Sequence, residues 1–243
     1  MFFLYPHSVI RDRLVEQVIN NEYEVYLIKD HVRLLMLLER FDNAIVFVNI
    51  DDALAEPEWE KYIRGILENE KTRGVRIGIV TYYENAELAQ KYLMDLLVPC
   101  GFVVLKVGIE TSTGIILKTL EANEARGRRR FVRADCTGSR RATFNARIEG
   151  KLYNGNIIDI SSAGMACSFE DRLDLKVGTS LEDIQLRLKG LICRVSGRLA
   201  GVSREESSRS IVMFDNNMSA ETRQKIRQFV HSTLKDELDQ IKA

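Results

Sequence analysis

Two short stretches of this chain hold the residue types that could grip an anion or a nucleotide base. From Arg126 to Arg141 it reads RGRRRFVRADCTGSRR, seven arginines with a single acid, Asp135. A guanidinium never loses its charge, and its planar fork donates paired hydrogen bonds to phosphate or to the edge of guanine. Inside this run Arg128, Arg129 and Arg133 form an RRxxxR pattern. The second stretch, Asp159-Ile160-Ser161-Ser162-Ala163-Gly164, is a DxSxxG pattern at the end of a predicted strand. In isolation the second pattern is an ordinary strand-to-strand turn, and the first a solvated linker or a nucleic-acid patch.

The elements that must position these residues divide the chain. Residues 1–125 carry 13 Lys+Arg against 20 Asp+Glu, a net of −7; residues 126–243 carry 22 against 15, a net of +7. The formal total of zero hides this split, which favours two domains and places an anionic partner on the second half. A length of 243 residues allows two domains, each with its own core. The expected boundaries are 1–122 for an α/β domain, 123–140 for an arginine-rich linker and 141–243 for a β-barrel with a terminal helix.

The first half alternates strand and helix patterns. Strands are predicted at 2–5, 23–28, 44–50, 75–80 and 102–107, with helices at about 9–19 (Ser8 as N-cap), 32–41, 58–69, 86–97 and 111–122. The continuous apolar run Ala44–Ile50 (AIVFVNI) marks a strand covered on both faces. Five β-α units imply a doubly wound parallel sheet. In the second half short strands at 142–148, 151–160, 164–169, 180–188, 191–195 and 211–214 are separated by turn signals, the pattern of a small antiparallel barrel. The polar stretch Gly197–Arg209 reads as a long hairpin loop. Ser219 caps a final amphipathic helix whose stripe is Ile226, Phe229, Val230, Leu234 and Leu238.

Several function classes fall away. Cys100, Cys136, Cys167 and Cys193 form no CxxC pair, and His7, His31 and His231 lie near none of them, so no metal site is expected. Reduced thiols and a cytoplasmic location follow as the expectation. The N-terminal MFFLY is too short for a signal h-region, and no apolar run reaches the roughly 18–20 residues of a membrane span. The first β-α turn has no glycine-rich phosphate loop. No catalytic residue and no cofactor are assigned.

With the two motifs in this order, followed by a barrel and a terminal helix, residues 126–232 resemble the PilZ domain, a family that binds the bacterial second messenger cyclic di-GMP. The resemblance implies a six-stranded barrel and assigns Arg128, Arg129 and Arg133 to phosphates and guanine edges. Asp159, Ser161 and Gly164 would cradle one base: the carboxylate accepts from guanine N1–H and the exocyclic amine, the serine hydrogen-bonds the base or a phosphate from the same turn, and the glycine allows close backbone approach or φ > 0. The first half resembles a response-regulator receiver domain. Thr81 and Lys106 sit where that family places its strand-end hydroxyl and lysine. The first strand, however, ends in Tyr5-Pro6-His7-Ser8 with no carboxylate, and the phosphoacceptor position falls on Val48 or Asn49, with Asp51 and Asp52 a step too late. That implies a domain without phosphotransfer, kept to contact a protein partner.

The leading expectation is therefore a non-enzymatic cyclic di-GMP receptor in which ligand bound at the linker alters domain orientation. The alternatives are a nucleic-acid-binding regulator that uses the arginine run, disfavoured because no aromatic stacking platform or helix-turn-helix accompanies it, and an adaptor that has lost its ligand.

Overall fold

The computed structural model describes residues 1–41, 43–125, 130–138, 142–203 and 209–241. They cluster into two compact units, Met1–Arg130 and Phe131–Ile241.

Unit 1 is built on five parallel strands: β1 (Phe2–Leu4), β2 (Tyr26–Ile28), β3 (Ile45–Asn49), β4 (Arg76–Thr81) and β5 (Phe102–Val104). Their order is β2-β1-β3-β4-β5, the flavodoxin-like doubly wound arrangement in which the connections reverse direction between β1 and β3. Every residue of β3 is buried, as the unbroken apolar run requires. The helices are α1 (Ser8–Asn20), α2 (His31–Leu38), α3 (Glu56–Glu68), α4 (Ala86–Gln90) and α5 (Ile109–Ala122). Asp30 caps α2 by accepting from the amides of Val32 and Arg33 at 2.9 and 3.0 Å. The fully buried Trp59 on α3 donates its indole N–H to the carbonyl of Asp52 at 3.0 Å.

Three local expectations change in unit 1. Ser8 is already helical; the Arg11 amide donates to the carbonyl of His7, which puts the cap one residue earlier. The helix expected over 86–97 is α-helical only to Gln90 and continues as a π-turn over Lys91–Asp95. Leu97 then takes φ +55°, and Pro99 prevents further propagation. The fifth strand stops at Val104, because Leu105–Val107 tighten into a 3₁₀ turn. Lys106 is exposed in that turn rather than ending a strand.

In unit 2 six antiparallel strands close on themselves: β7 (Ala142–Ile148), β8 (Lys151–Ser161), β9 (Gly164–Phe169), β10 (Ser180–Leu188), β11 (Leu191–Ser203) and β12 (Arg209–Phe214). The pairing runs β8-β7-β10-β11-β12-β9 and returns to β8, so the sheet forms a barrel; a short strand β6 (Arg133–Asp135) adds to the outer edge of β8. Alternation decides which face looks inward. Ala142, Phe144, Ala146 and Ile148 of β7 are buried with less buried residues between them, and the Phe144 ring meets Phe169 edge-on at 5.3 Å. Helix α6 (Ala220–Gln240) seals the core with Ile226, Phe229 and Val230. Its cap is as expected, with Ser219 Oγ accepting from the Thr222 amide at 3.1 Å.

The long hairpin loop expected over Gly197–Arg209 is corrected. Gly197 to Ser203 continue β11, paired with both β10 and β12, Arg209 begins β12, and 204–208 lie outside the described residues. Cys193, Val195 and Leu199 keep the two-residue period and point into the core, so the polar residues between them are the outward face of a strand. Composition hid a pattern that register preserved.

Candidate functional site

The site in unit 2 is built where β12, β9, β8 and β6 lie side by side. β6 pairs with β8 so that Arg133 is opposite Ser161 and Asp135 opposite Asp159. β8 pairs with β9, which puts Ala166 opposite Asp159, and Ala166 is in turn opposite Ile211 of β12. Residues directly opposite share a face, as do residues two apart on one strand. Asp135, Asp159, Ala166, Ile211 and Arg209 therefore occupy one face of the sheet. The small Ala166 lets a long side chain on β12 reach over it to β8.

Asp159 is the centre of this arrangement. Arg133 donates to its Oδ1 at 3.3 Å and Arg209 to its Oδ2 at 2.8 Å. The Asp159 side chain is 18% exposed, against 45% for Arg133 and 37% for Arg209, so the carboxylate is the least solvated member. A charge-assisted pair in that setting is stronger than a surface pair, yet both cations can still reach water. Asp135 lies next to it, held below the ordinary carboxylate range by the hydroxyl and amide of Thr137, with a further contribution from the charge of Arg209. Two carboxylates and two guanidiniums balance within this cluster. Any surplus positive charge for an anionic ligand has to come from outside this cluster.

Of the sequence-assigned residues, the fold brings Arg133, Asp159, Ser161 and Gly164 together through β6 and the β8–β9 hairpin. Arg128 and Arg129 lie outside the described residues. Ser161 is buried, and its hydroxyl serves its own turn: it donates to the carbonyl of Gly164 at 3.2 Å and accepts from the Ala163 amide at 3.3 Å. Gly164 does not take a positive φ. It lacks a side chain for a packing reason, since a Cβ there would lie 2.4 Å from the Val212 carbonyl oxygen of β12. Arg209 was missed in the sequence, hidden in the supposed loop. The one signal that could have found it is its place two residues before the outward-facing Ile211.

The carboxyl end of the parallel sheet in unit 1 is occupied by its own groups. Asn49, buried at the end of β3, donates to the Tyr5 carbonyl at 2.8 Å and accepts from the Asp51 amide at 3.2 Å. Asp51 folds back to accept the Thr81 hydroxyl at 2.6 Å and the Tyr82 amide at 2.6 Å. Thr81 is thus more than a strand-end hydroxyl: it anchors the loop after β3. Among the described residues no group of three or more His, Cys, Asp or Glu could hold a metal ion, and no helix is long and apolar enough to cross a membrane. The four cysteines are free and buried.

Residues 127–232 match the family model of the PilZ domain. Among solved structures, the PilZ domain of YcgR from Escherichia coli with c-di-GMP is 16% identical, with a TM-score of 0.38, covering 47% of this chain and 99% of that one. MrkH of K. pneumonia in complex with c-di-GMP is 19% identical with a TM-score of 0.38, covering 45% and 53%. The Bacillus subtilis inhibitor of motility MotI/DgrA is 19% identical with a TM-score of 0.36, covering 46% and 52%. The match thus spans about half the length of the last two proteins. No curated protein matches the chain.

Proposed function

From the PilZ domain over residues 127–232, we propose that this chain is a cyclic di-GMP receptor without catalytic activity. The observation that carries the reading is Asp159 on the outer face of the barrel, its two oxygens each engaged by an arginine, inside the stretch that the family model matches. An ionised carboxylate only accepts, so it suits the N1–H and exocyclic amine of guanine, a donor pair that adenine does not offer. On this reading Arg128, Arg129 and Arg133 take the phosphates and guanine edges, while Asp159, with Ser161 and Gly164 in the adjoining turn, receives one base. Arg133 changes partner when the ligand arrives, leaving carboxylate for ligand.

The reading extends to signalling. The arginine run joins residues 1–122 to 141–243 in sequence, so a ligand gripped by residues 123–140 would alter how the two domains are oriented, by its difference in affinity for the two arrangements. The first domain would then act on a protein partner in the cytoplasm. Asn49 in place of a strand-end acid, and an Asp51 already engaged by Thr81 and Tyr82, support an interaction role over phosphotransfer.

Calorimetric titration of the full chain with cyclic di-GMP tests the first claim. Saturable binding that Asp159→Ala or Arg129→Ala abolishes is expected; no binding by the wild type, or unchanged binding by both variants, overturns it. Small-angle scattering with and without ligand tests the second, and identical curves at saturation would remove it. Binding of duplex DNA that weakens steeply with salt, without response to cyclic di-GMP, would replace the reading by a nucleic-acid one.

A further inference from the structure

We infer that Arg209 is a positioning residue of the same site, offsetting the charge of the facing Asp135–Asp159 pair so that the Asp159 carboxylate is presented to guanine in a fixed orientation. The inference rests on the cyclic di-GMP reading and adds to it a residue outside both sequence motifs.

The register of β6 on β8 sets Asp135 directly opposite Asp159. Like charges so placed on adjacent strands repel at close range and disfavour the pairing. β6 is only three residues long, so it has little other pairing with which to offset that repulsion. Three groups address it. Thr137 satisfies Asp135 through its hydroxyl and amide at 2.7 and 2.8 Å. Arg133 reaches Asp159 Oδ1 at 3.3 Å, and Arg209 reaches Oδ2 at 2.8 Å.

The two arginines are not equivalent. Arg133 belongs to the RRxxxR pattern and is needed on the ligand, so its contact with Asp159 is surrendered on binding. Arg209 makes the shorter contact, comes from the far side across Ala166, and its charge also contributes to holding Asp135 ionised. With Arg133 gone to the ligand, Arg209 is the described cation that continues to face both acids. Each carboxylate oxygen has two lone pairs, so Asp159 can keep Arg209 on Oδ2 while both oxygens accept from a guanine.

The chemistry makes a distinctive demand on variants. Arg209→Ala leaves two facing carboxylates without their common counter-charge, so cyclic di-GMP affinity is expected to fall about tenfold or more, the scale of one charge-assisted contact. Arg209→Lys keeps the charge without the fork and is expected to recover most of it. Asp135→Asn placed in the Arg209→Ala background removes the repulsion and is expected to restore affinity at least in part, which a merely structural role of Arg209 would not produce. The preference for cyclic di-GMP over cyclic di-AMP is expected to narrow in Arg209→Ala and to widen again in the double variant.

All four proteins are titrated as full chains, with circular dichroism verifying the fold; should Arg209→Ala not fold, Arg209→Lys and Arg209→Gln with Asp135→Asn carry the same comparison. Wild-type binding with an unchanged Arg209→Ala overturns this inference alone. So does a loss that Asp135→Asn does not reverse. No binding by the wild type removes the parent reading and this inference together.

Discussion

Each unit holds an aspartate near the end of a strand and satisfies both of its oxygens, but with opposite kinds of donor. Asp51 in unit 1 accepts from the Thr81 hydroxyl and the Tyr82 amide, neutral groups fixed to the backbone. Asp159 in unit 2 accepts from Arg133 and Arg209, cations on long flexible stems. A backbone amide has nowhere else to go, so the Asp51 network is a closed piece of loop architecture. A guanidinium can turn to another anion at little cost, so the Asp159 network is open to exchange. The same side chain therefore serves packing in one place and recognition in the other, and the mobility of its donors makes the difference.

The comparison is broken most severely by removing the two acids in turn. Asp159→Ala is expected to lower cyclic di-GMP affinity by about tenfold to a hundredfold, the scale of one bidentate base contact at ~1–3 kcal/mol. Asp51→Ala should leave the titration unchanged; equal losses would show that both acids serve the ligand or that neither does. Next in size is Gly164→Ala, where the new methyl would meet the Val212 carbonyl at 2.4 Å. A loss of about 1–3 kcal/mol in denaturant titration of the ligand-free chain is expected from that overpacking. Thr81→Val removes the hydroxyl from Asp51 and should cost about 1 kcal/mol of stability with no change in ligand affinity.

The smallest effect concerns pH. Burial pushes the thiols of Cys136 and Cys167 up to about 12 from an ordinary value of 9.0. The folded form keeps these protons where the unfolded form has lost them, so their contribution is complete below pH 9 and declines as pH rises from there towards 12. Iodoacetamide at pH 8 should modify neither residue in the native chain and both after denaturation. Rapid native labelling would show that the barrel core opens more readily than its packing implies.

The two halves differed in how much of them could be read in advance. Parallel strands buried on both faces appear as unbroken apolar runs, so β3 was legible from Ala44–Ile50 with only its ends displaced. Capping was legible at Ser219, whose helix follows a plain turn, and illegible at Ser8, where Pro6 and His7 fix the chain one residue earlier. The β11–β12 hairpin was lost because its outward positions are polar and its inward ones include Gly197, whose missing side chain leaves no hydrophobic signal. A Cβ at Gly197 would meet the Met213 carbonyl oxygen at 2.5 Å, so the glycine belongs to the strand and not to a loop.

Sequence by itself determined the residue chemistry: an arginine run, a DxSxxG turn, a change from alternating helix and strand to strand only, and opposite net charges on the two halves. These are local properties, written in residue type and period. Only the tertiary structure decided that Asp135 faces Asp159, that Arg209 crosses Ala166 to reach them, and that Asp51 is closed off by Thr81 and Tyr82. Those partners lie 24, 50 and 30 residues apart in the chain, taking Thr81 for Asp51. Strand register brings them together, and register is set by which residues the core accepts rather than by the charges that it happens to align.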